Sequence, residues 1–322
     1  MNVVVIGCGT MGTLHSSCLS EMPGVRLIGA VDRTLARAET LAEKYNIPAS
    51  SSLDDFLDQA DAGWVCTPTP LHRPYTEKLA SAGAHVFCEK PIAPTIEDAE
   101  AMVRATKQAK VQLFIGHVLR FFHEYAAIKR ILDEGKIGKP AVARASRCGA
   151  YPRGSNDWFT DYKQSGGALF DMSIHDIDFL NWCLGRPTRV FCRRHKEHLC
   201  DYALAIVRYE SGAMAHVEAS WAHPGGFYTA FELAGTEGLC RFDSAEAAPL
   251  RVQVRAPEGK APGVAVPESP VAENPYMLED RHCVRCIEEG RRPIVTADDA
   301  ILAARVALAA AQSAETGKAV EL

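Results

Sequence analysis

Three side chains in this sequence are of the kinds that could move a proton between them: Lys90, Asp171 and His175. Asp171 and His175 are four residues apart, a spacing that sets two side chains on one face of a helix, with Asp178 three residues further along that side. An imidazole flanked by carboxylates has the makings of a general base. Its ordinary pKa lies near about 6.5, and the neighbouring charge stabilises its protonated form. Lys90 follows the apolar run His85–Cys88 and precedes Pro91, which fixes the turn around it. A cation placed there can hydrogen-bond an alkoxide-like transition state. By themselves Asp171 and His175 could equally be an exposed helical pair and Lys90 a solvated lysine. Brought around one substrate, the three would suit oxidation of a secondary alcohol, in which hydride leaves carbon and the hydroxyl proton needs an acceptor. His175 is the candidate acceptor and Asp171 the group that binds and orients the hydroxyl. The residue types leave open whether Lys90 or His175 finally holds the proton.

A hydride needs somewhere to go. Gly7-Cys8-Gly9-Thr10-Met11-Gly12 has G-x-G-x-x-G spacing, follows the β-branched run Val3–Ile6 and opens a helical pattern. That is the context of a dinucleotide turn. The first Gly permits the tight turn, the second lets backbone approach a pyrophosphate, and the third allows close helix–strand packing. N–H groups at the helix start then face the phosphates. Asp32 ends the next strand, twenty residues past Gly12. A carboxylate there accepts from both ribose hydroxyls and repels a 2′-phosphate, which favours NAD over NADP. Arg33, beside it, is the one residue that could face a 2′-phosphate instead.

The elements that must position these groups can be read in outline. Through residue 120 strands and helices alternate: strands at Val3–Ile6, Val25–Val31, Ala62–Cys66, His85–Cys88 and Val111–Gly116, and helices at Thr34–Tyr45, Leu53–Gln59, Pro74–Ala82 and a segment capped by Thr95 with Asp98. That predicts a parallel sheet covered on both faces. Beyond residue 120 comes a helix, Glu124–Glu134, and then longer alternating strands at Ala141–Arg147, Tyr202–Tyr209, Ala213–Trp221, Phe227–Gly235 and Leu239–Asp243. Residues 244–275 read as an irregular excursion and Asp298–Glu315 as a final helix. The expectation is an α/β chain: a dinucleotide-binding Rossmann domain over 1–120, then an α+β domain over 121–322 with a mostly antiparallel sheet. Tyr151, Arg153, Asn156, Asp157, Trp158 and Tyr162 form a polar-aromatic loop that could stack on a sugar face or serve an oligomer contact.

Several segments together resemble the glucose–fructose oxidoreductase / inositol dehydrogenase / rhizopine-catabolism (Gfo/Idh/MocA) family. Glu89-Lys90-Pro91 resembles its EKP tripeptide. Thr67-Pro68-Thr69-Pro70-Leu71-His72 is similar to its TPN-x-x-H segment, with Thr69 in place of Asn, and Gly116–Phe121 to its G-x-x-x-R-F segment. The stretch Gly166–Asp178 is similar to its GG-x-L-x-D-x-x-x-H-x-x-D signature. The resemblance runs in order along nearly the whole chain. It implies a large open sheet in the second domain, homodimers or homotetramers built through that sheet, and redox chemistry on a secondary alcohol of a sugar, cyclitol or related polyol. It also implies cofactor contacts from Cys66, Thr67, Pro68, His72, Glu89, Lys90 and Arg120, in addition to Gly7, Gly9, Thr10, Met11, Gly12, Asp32 and Arg33. Around the substrate it implies Lys90, His117, Tyr151, Trp158, Asp171 and His175. A dinucleotide-sensing regulator without turnover, and a glycosidase that uses NAD transiently, are the alternatives within such a family.

Composition narrows the partners. The formal charge is -5, from 35 basic and 40 acidic residues, so no positive field is available for nucleic acid. No secretory leader or membrane span is expected, which predicts a cytoplasmic protein. The 11 Cys read as free thiols. Cys283-x-x-Cys286 reads as helix packing, and His195, His198 and Cys200 lack a fourth zinc ligand, so no metal is expected.

Overall fold

The computed structural model describes residues 1–152, 158–159, 161–223, 227–246, 251–254 and 273–322. In chain order the first elements are β1 (Asn2–Ile6), α1 (Thr10–Ser20), β2 (Arg26–Val31), α2 (Leu35–Tyr45), β3 (Ala49–Ser50), β4 (Ala62–Val65), α3 (His72–Ser81), β5 (His85–Glu89), α4 (Ile96–Ala109) and β6 (Leu113–Gly116). Next come α5 (His123–Asp133), β7 (Pro140–Cys148), α6 (Tyr162–Ser165), α7 (Ile174–Leu184), β8 (Pro187–Glu197), β9 (Cys200–Tyr209), β10 (Met214–Ser220), β11 (Tyr228–Gly235), β12 (Gly238–Asp243) and β13 (Arg251–Val254). The chain closes with α8 (Pro275–Glu289), α9 (Ala297–Thr316) and β14 (Val320–Glu321). The expected helix at 53–59 is a single 3-10 turn, Leu53–Asp55, and the strand that the sequence pattern shows at His195 is the end of β8.

Two compact units emerge. One comprises Met1–Phe121 with Glu273–Ile301, and the other Phe122–Ala272 with Leu302–Leu322. The first unit therefore takes in a late segment that the sequence pattern assigns to the second domain.

In the first unit six parallel strands run in the order β3-β2-β1-β4-β5-β6. Val3, Val4, Val5 and Ile6 have no exposed surface, as befits a strand covered on both faces. The order reverses at β1, whose neighbours are β2 and β4. Ligands bind outside the carboxyl ends of strands at such a switch point; here those ends are Ile6 and Val65. The expected cap of α4 is present: Thr95 Oγ1 accepts from the Asp98 N–H (3.1 Å) and donates to the Asp98 carboxylate (2.8 Å). α8 completes the core, with Cys283, Val284 and Cys286 buried among Val5, Leu19, Trp64 and Phe87.

The second unit is built on an eight-stranded sheet, β13-β12-β11-β7-β10-β9-β8-β14. Only β7 and β10 pair in parallel; every other pairing among the described residues is antiparallel. Alternate residues of β9 are buried and exposed, the period-2 pattern of a sheet covered on one face.

Candidate active site

The dinucleotide turn has the geometry its residues call for. Gly7 has φ +93°, and a Cβ there would lie 2.5 Å from the Cys66 carbonyl oxygen. A Cβ at Gly12 would overlap the Gly7 carbonyl oxygen, so this glycine lets α1 pack onto β1. Gly9 is different: a Cβ there would meet no atom within 4 Å. The space above it is open, and Gly9 caps α1 with no side-chain hydrogen bond. An open helix N-terminus of this kind accepts a pyrophosphate.

Asp32 is held from both sides. Its Oδ2 accepts from the Cys8 N–H (2.9 Å) and its Oδ1 from the Thr34 N–H (2.8 Å). The carboxylate is thus fixed beside the glycine turn, with lone pairs to spare for a ribose diol. Arg33 is exposed. Cys66, Thr67 and Pro68 continue from the end of β4 and are half-buried. Thr67 Oγ1 is buried without a hydrogen-bond partner among the described residues. These features fit a dinucleotide.

His72 explains why two of the motifs go together. The ring is fully buried; one nitrogen lies 2.9 Å from the Pro91 carbonyl oxygen and the other 2.8 Å from that of Thr67. It clamps the loop after β4 to the loop after β5. Thr69, standing where the motif has Asn, is buried in a short 3-10 turn, Thr69–Leu71. The Lys90-Pro91 peptide is cis. Glu89 is buried, and its Oε2 accepts from the Lys90 N–H (3.0 Å).

His117 and Arg120, expected near nicotinamide and substrate, are both buried in the first unit. Arg120 donates to the Ile294 carbonyl oxygen (2.8 Å) and lies 3.4 Å from Asp299. Two residues outside every motif are linked to Glu89-Lys90-Pro91. His15, on α1, places Nε2 3.0 Å from Glu89 Oε1 and Nδ1 2.8 Å from Asp280 Oδ1. The only sequence signal for His15 is its position three residues beyond Gly12. Asp280 carries none, being almost 200 residues from the motif it serves.

The second unit holds the rest of the signature. Gly166 and Gly167 have φ +69° and +71°. A Cβ at Gly167 would overlap the Arg194 guanidinium and the Asp201 carboxylate. That pair is bidentate, at 2.6 and 2.5 Å, and Asp201 Oδ2 also accepts from the Ala168 N–H (2.8 Å). The glycine pair is therefore required by close approach as well as by conformation.

The expected regular helix through Asp171, His175 and Asp178 does not form. Ala168–Met172 is a π-helical turn, and α7 begins only at Ile174. A π turn takes in one residue more than an α turn and rotates the helical face of the residues after it. Asp171 and His175 keep partial exposure. Asp178 does not share their access, as it is 1% exposed. Asp176, also buried, accepts two hydrogen bonds from Arg147 (2.7 and 2.9 Å), which ties α7 to β7.

Tyr151 and Tyr162 line an open cavity of about 400 Å³ with Lys196, Glu197, His198 and Leu199. The Lys196 ammonium lies 4.3 Å from the Tyr162 ring centroid, and burial lowers its pKa. Trp158 packs on Phe159 with centroids 4.2 Å apart. Arg153, Asn156 and Asp157 lie outside the described residues. Cys283 and Cys286 are buried in the core of the first unit. His195 pairs with Glu197 on the surface. Among the described residues no helix is long and apolar enough to cross a membrane, and no three His, Cys, Asp or Glu side chains are grouped to hold a metal.

Comparison with known proteins places this architecture. Residues 1–117 match the family model described as "Oxidoreductase family, NAD-binding Rossmann fold", and residues 125–241 match the "GFO/IDH/MocA C-terminal domain". The chain is 31% identical to scyllo-inositol 2-dehydrogenase (NAD(+)) of Bacillus subtilis, over 99% of this chain and 95% of that one. It is 28% identical to myo-inositol 2-dehydrogenase of Thermotoga maritima, over 100% and 98% of the two chains. The crystal structure of GenD2 from gentamicin A biosynthesis, in complex with NAD, superposes with a TM-score of 0.88 at 27% identity, covering 100% of this chain and 96% of that one. The chain belongs to the Gfo/Idh/MocA oxidoreductases, and its first unit is their NAD-binding Rossmann fold.

Proposed function

We propose that this protein is an NAD-dependent dehydrogenase acting on a secondary ring hydroxyl of a cyclitol, sugar or related polyol. The observation that carries the reading is the chain-length similarity to an inositol dehydrogenase, in a sequence that retains Lys90, Asp171 and His175. Bound NAD supplies the hydride acceptor for the carbinol carbon. His175 takes the hydroxyl proton at a ring nitrogen and passes it to solvent as the carbonyl forms. Lys90 donates to the same oxygen while negative charge builds on it. Asp171 accepts from a substrate hydroxyl and sets the ring's orientation. Tyr151 and Trp158 offer aromatic faces to the ring. The Thr67 hydroxyl and the first-turn N–H groups of α1 hold the dinucleotide with Arg120, His117 lies toward the substrate, and His72 braces the two loops around the cofactor.

The test is NADH formation across a panel of inositols and sugars, repeated in Lys90→Ala and His175→Ala. Each variant is expected to lose about 10²–10⁴-fold in kcat, the range for removal of a positioned acid–base group. Full turnover in both would sink the mechanism.

The outer face of the eight-stranded sheet supports a homo-oligomer. Tyr202, Leu204 and Ile206 on β9 and Met214 on β10 are each between 36% and 42% exposed, an apolar patch of the kind that marks a subunit contact. Leu204→Arg with Ile206→Glu is expected to yield a smaller species by light scattering. An unchanged mass would exclude this face.

A further inference from the structure

Beneath Lys90 lies a chain of buried ionisable groups that the proposed chemistry does not yet use. Asp280 on α8 and His15 on α1 have no exposed surface, and Glu89 on β5 is 6% exposed. Nδ1 of His15 faces both Asp280 carboxylate oxygens, at 2.8 and 2.9 Å, and Nε2 faces Glu89 Oε1 at 3.0 Å. Asp280 Oδ1 also accepts from the Trp64 indole N–H (2.9 Å), and Glu89 Oε2 from the Lys90 N–H (3.0 Å). Carboxylates only accept when ionised. With both ionised, the ring must carry a proton on each nitrogen.

Burial opposes that charge on His15, but the carboxylate of Asp280, with its hydrogen bond, and then Glu89 outweigh it and raise the pKa well above the ordinary value. Burial likewise opposes ionisation of Glu89, and the His15 hydrogen bond and charge, joined by the Lys90 charge, outweigh it and lower the pKa. Other ionisable groups pack around the ring. Burial raises the thiols of Cys18 on α1, Cys66 at the end of β4, Cys88 on β5 and Cys283 on α8, leaving them neutral. Glu279, on α8, is buried next to Asp280 in sequence. The rings of Phe87 and Tyr276 close the sides, with centroids 4.9 and 5.9 Å from the imidazole.

We propose that Asp280 and His15 are positioning residues for Lys90: the alternating series Asp280⁻, His15⁺, Glu89⁻, Lys90⁺ fixes the backbone of the lysine through Glu89 and balances its charge from below. A series of this kind has no net charge, and loss of any one member leaves an uncompensated charge among the buried ones. It makes a helix from the far end of the chain part of the apparatus that presents the lysine. The inference rests on the role given to Lys90 above.

Two measurements test it. In the wild-type protein, ¹⁵N spectra of the imidazoles, with His15 assigned by its loss in His15→Asn, are expected to show both ring nitrogens of His15 protonated through neutral pH and beyond. A His15 ring that titrates with a midpoint near about 6.5 overturns the proposal. In Asp280→Asn the Trp64 hydrogen bond has an acceptor but His15 loses its strongest counter-charge. There kcat is expected to fall by up to about 10²-fold, with KM for NAD unchanged. The rate should also decline with rising pH earlier than in the wild type, as His15 sheds its proton. Asp280→Glu should recover part of the loss. An Asp280→Asn enzyme with wild-type kcat and pH profile overturns the proposal. Lys90→Ala separates the two readings: if it retains turnover, the lysine's role fails; if it is inactive while Asp280→Asn is unaltered, only the positioning series fails.

Discussion

Asp32 shows how much selectivity one side chain holds when the backbone fixes it. Two amide donors, from Cys8 and Thr34, engage one oxygen each, so the carboxylate cannot turn away from a 2′-phosphate placed beside it. The chain is an NAD-binding oxidoreductase, and we propose Asp32 as the physical reason on the protein side. Asp32→Ser is expected to lower kcat/KM with NAD by about tenfold to a hundredfold, the loss of one or two hydrogen bonds to a charged acceptor. The same change should raise the relative use of NADP, because Arg33 is exposed next to it and the repulsion is gone. The ratio of kcat/KM for the two cofactors measures this; an unaltered ratio would show that Asp32 does not discriminate. At this scale the sequence was most legible. Glycine spacing and a carboxylate at a strand end are local rules. His15 and Asp280 were not legible, because their partnership depends on a contact across 265 positions.

At the scale of elements, the Gly166–Gly167 turn and the Arg147–Asp176 pair decide how Asp171 and His175 are presented. The strands and helices before residue 120 could be read because buried parallel strands are short β-branched runs between caps and glycines. The π turn at Ala168–Met172 could not: its hydrophobic spacing is close to that of an α-helix, and the Asp201 carboxylate that holds its Ala168 N–H comes from a distant strand. Nor could the sequence pair Asp176 with Arg147, which lies 29 positions away on another element. Arg147 and Asp176 are both buried. Asp176→Ala leaves the guanidinium buried without its bidentate partner, and is expected to destabilise the second unit by about 3–5 kcal/mol. The thermal midpoint should drop, with activity lost alongside it. A midpoint within experimental error of the wild type would refute the pairing's importance.

For the whole molecule, charge buried in the first unit links stability to pH. His15 has a raised pKa in the folded chain. Its stabilising contribution is complete below the unfolded value of about 6.5 and is lost progressively as pH rises from there through the folded value. Glu89 has a lowered pKa, so its contribution is present above about 4.3 and is lost as pH falls from there through the folded value. The thermal midpoint of the wild type should therefore decline on both sides, and His15→Phe should flatten the alkaline decline. A profile identical to that of the wild type would show that the imidazole does not carry the alkaline limb.

The late return of residues 273–301 to the first unit also bears on how the chain is made. A ribosome releases β1 to β6 long before it reaches α8, so the nascent sheet waits with Trp64 and Phe87 lacking the cover of Cys283 and Val284, and with Glu89 facing His15 while Asp280 is still to come. The NAD unit can close only after residues 273–301 have been made. A fragment ending at Phe121 would be a nearly finished Rossmann fold with an open seam, dependent on chaperones for as long as that seam stays uncovered.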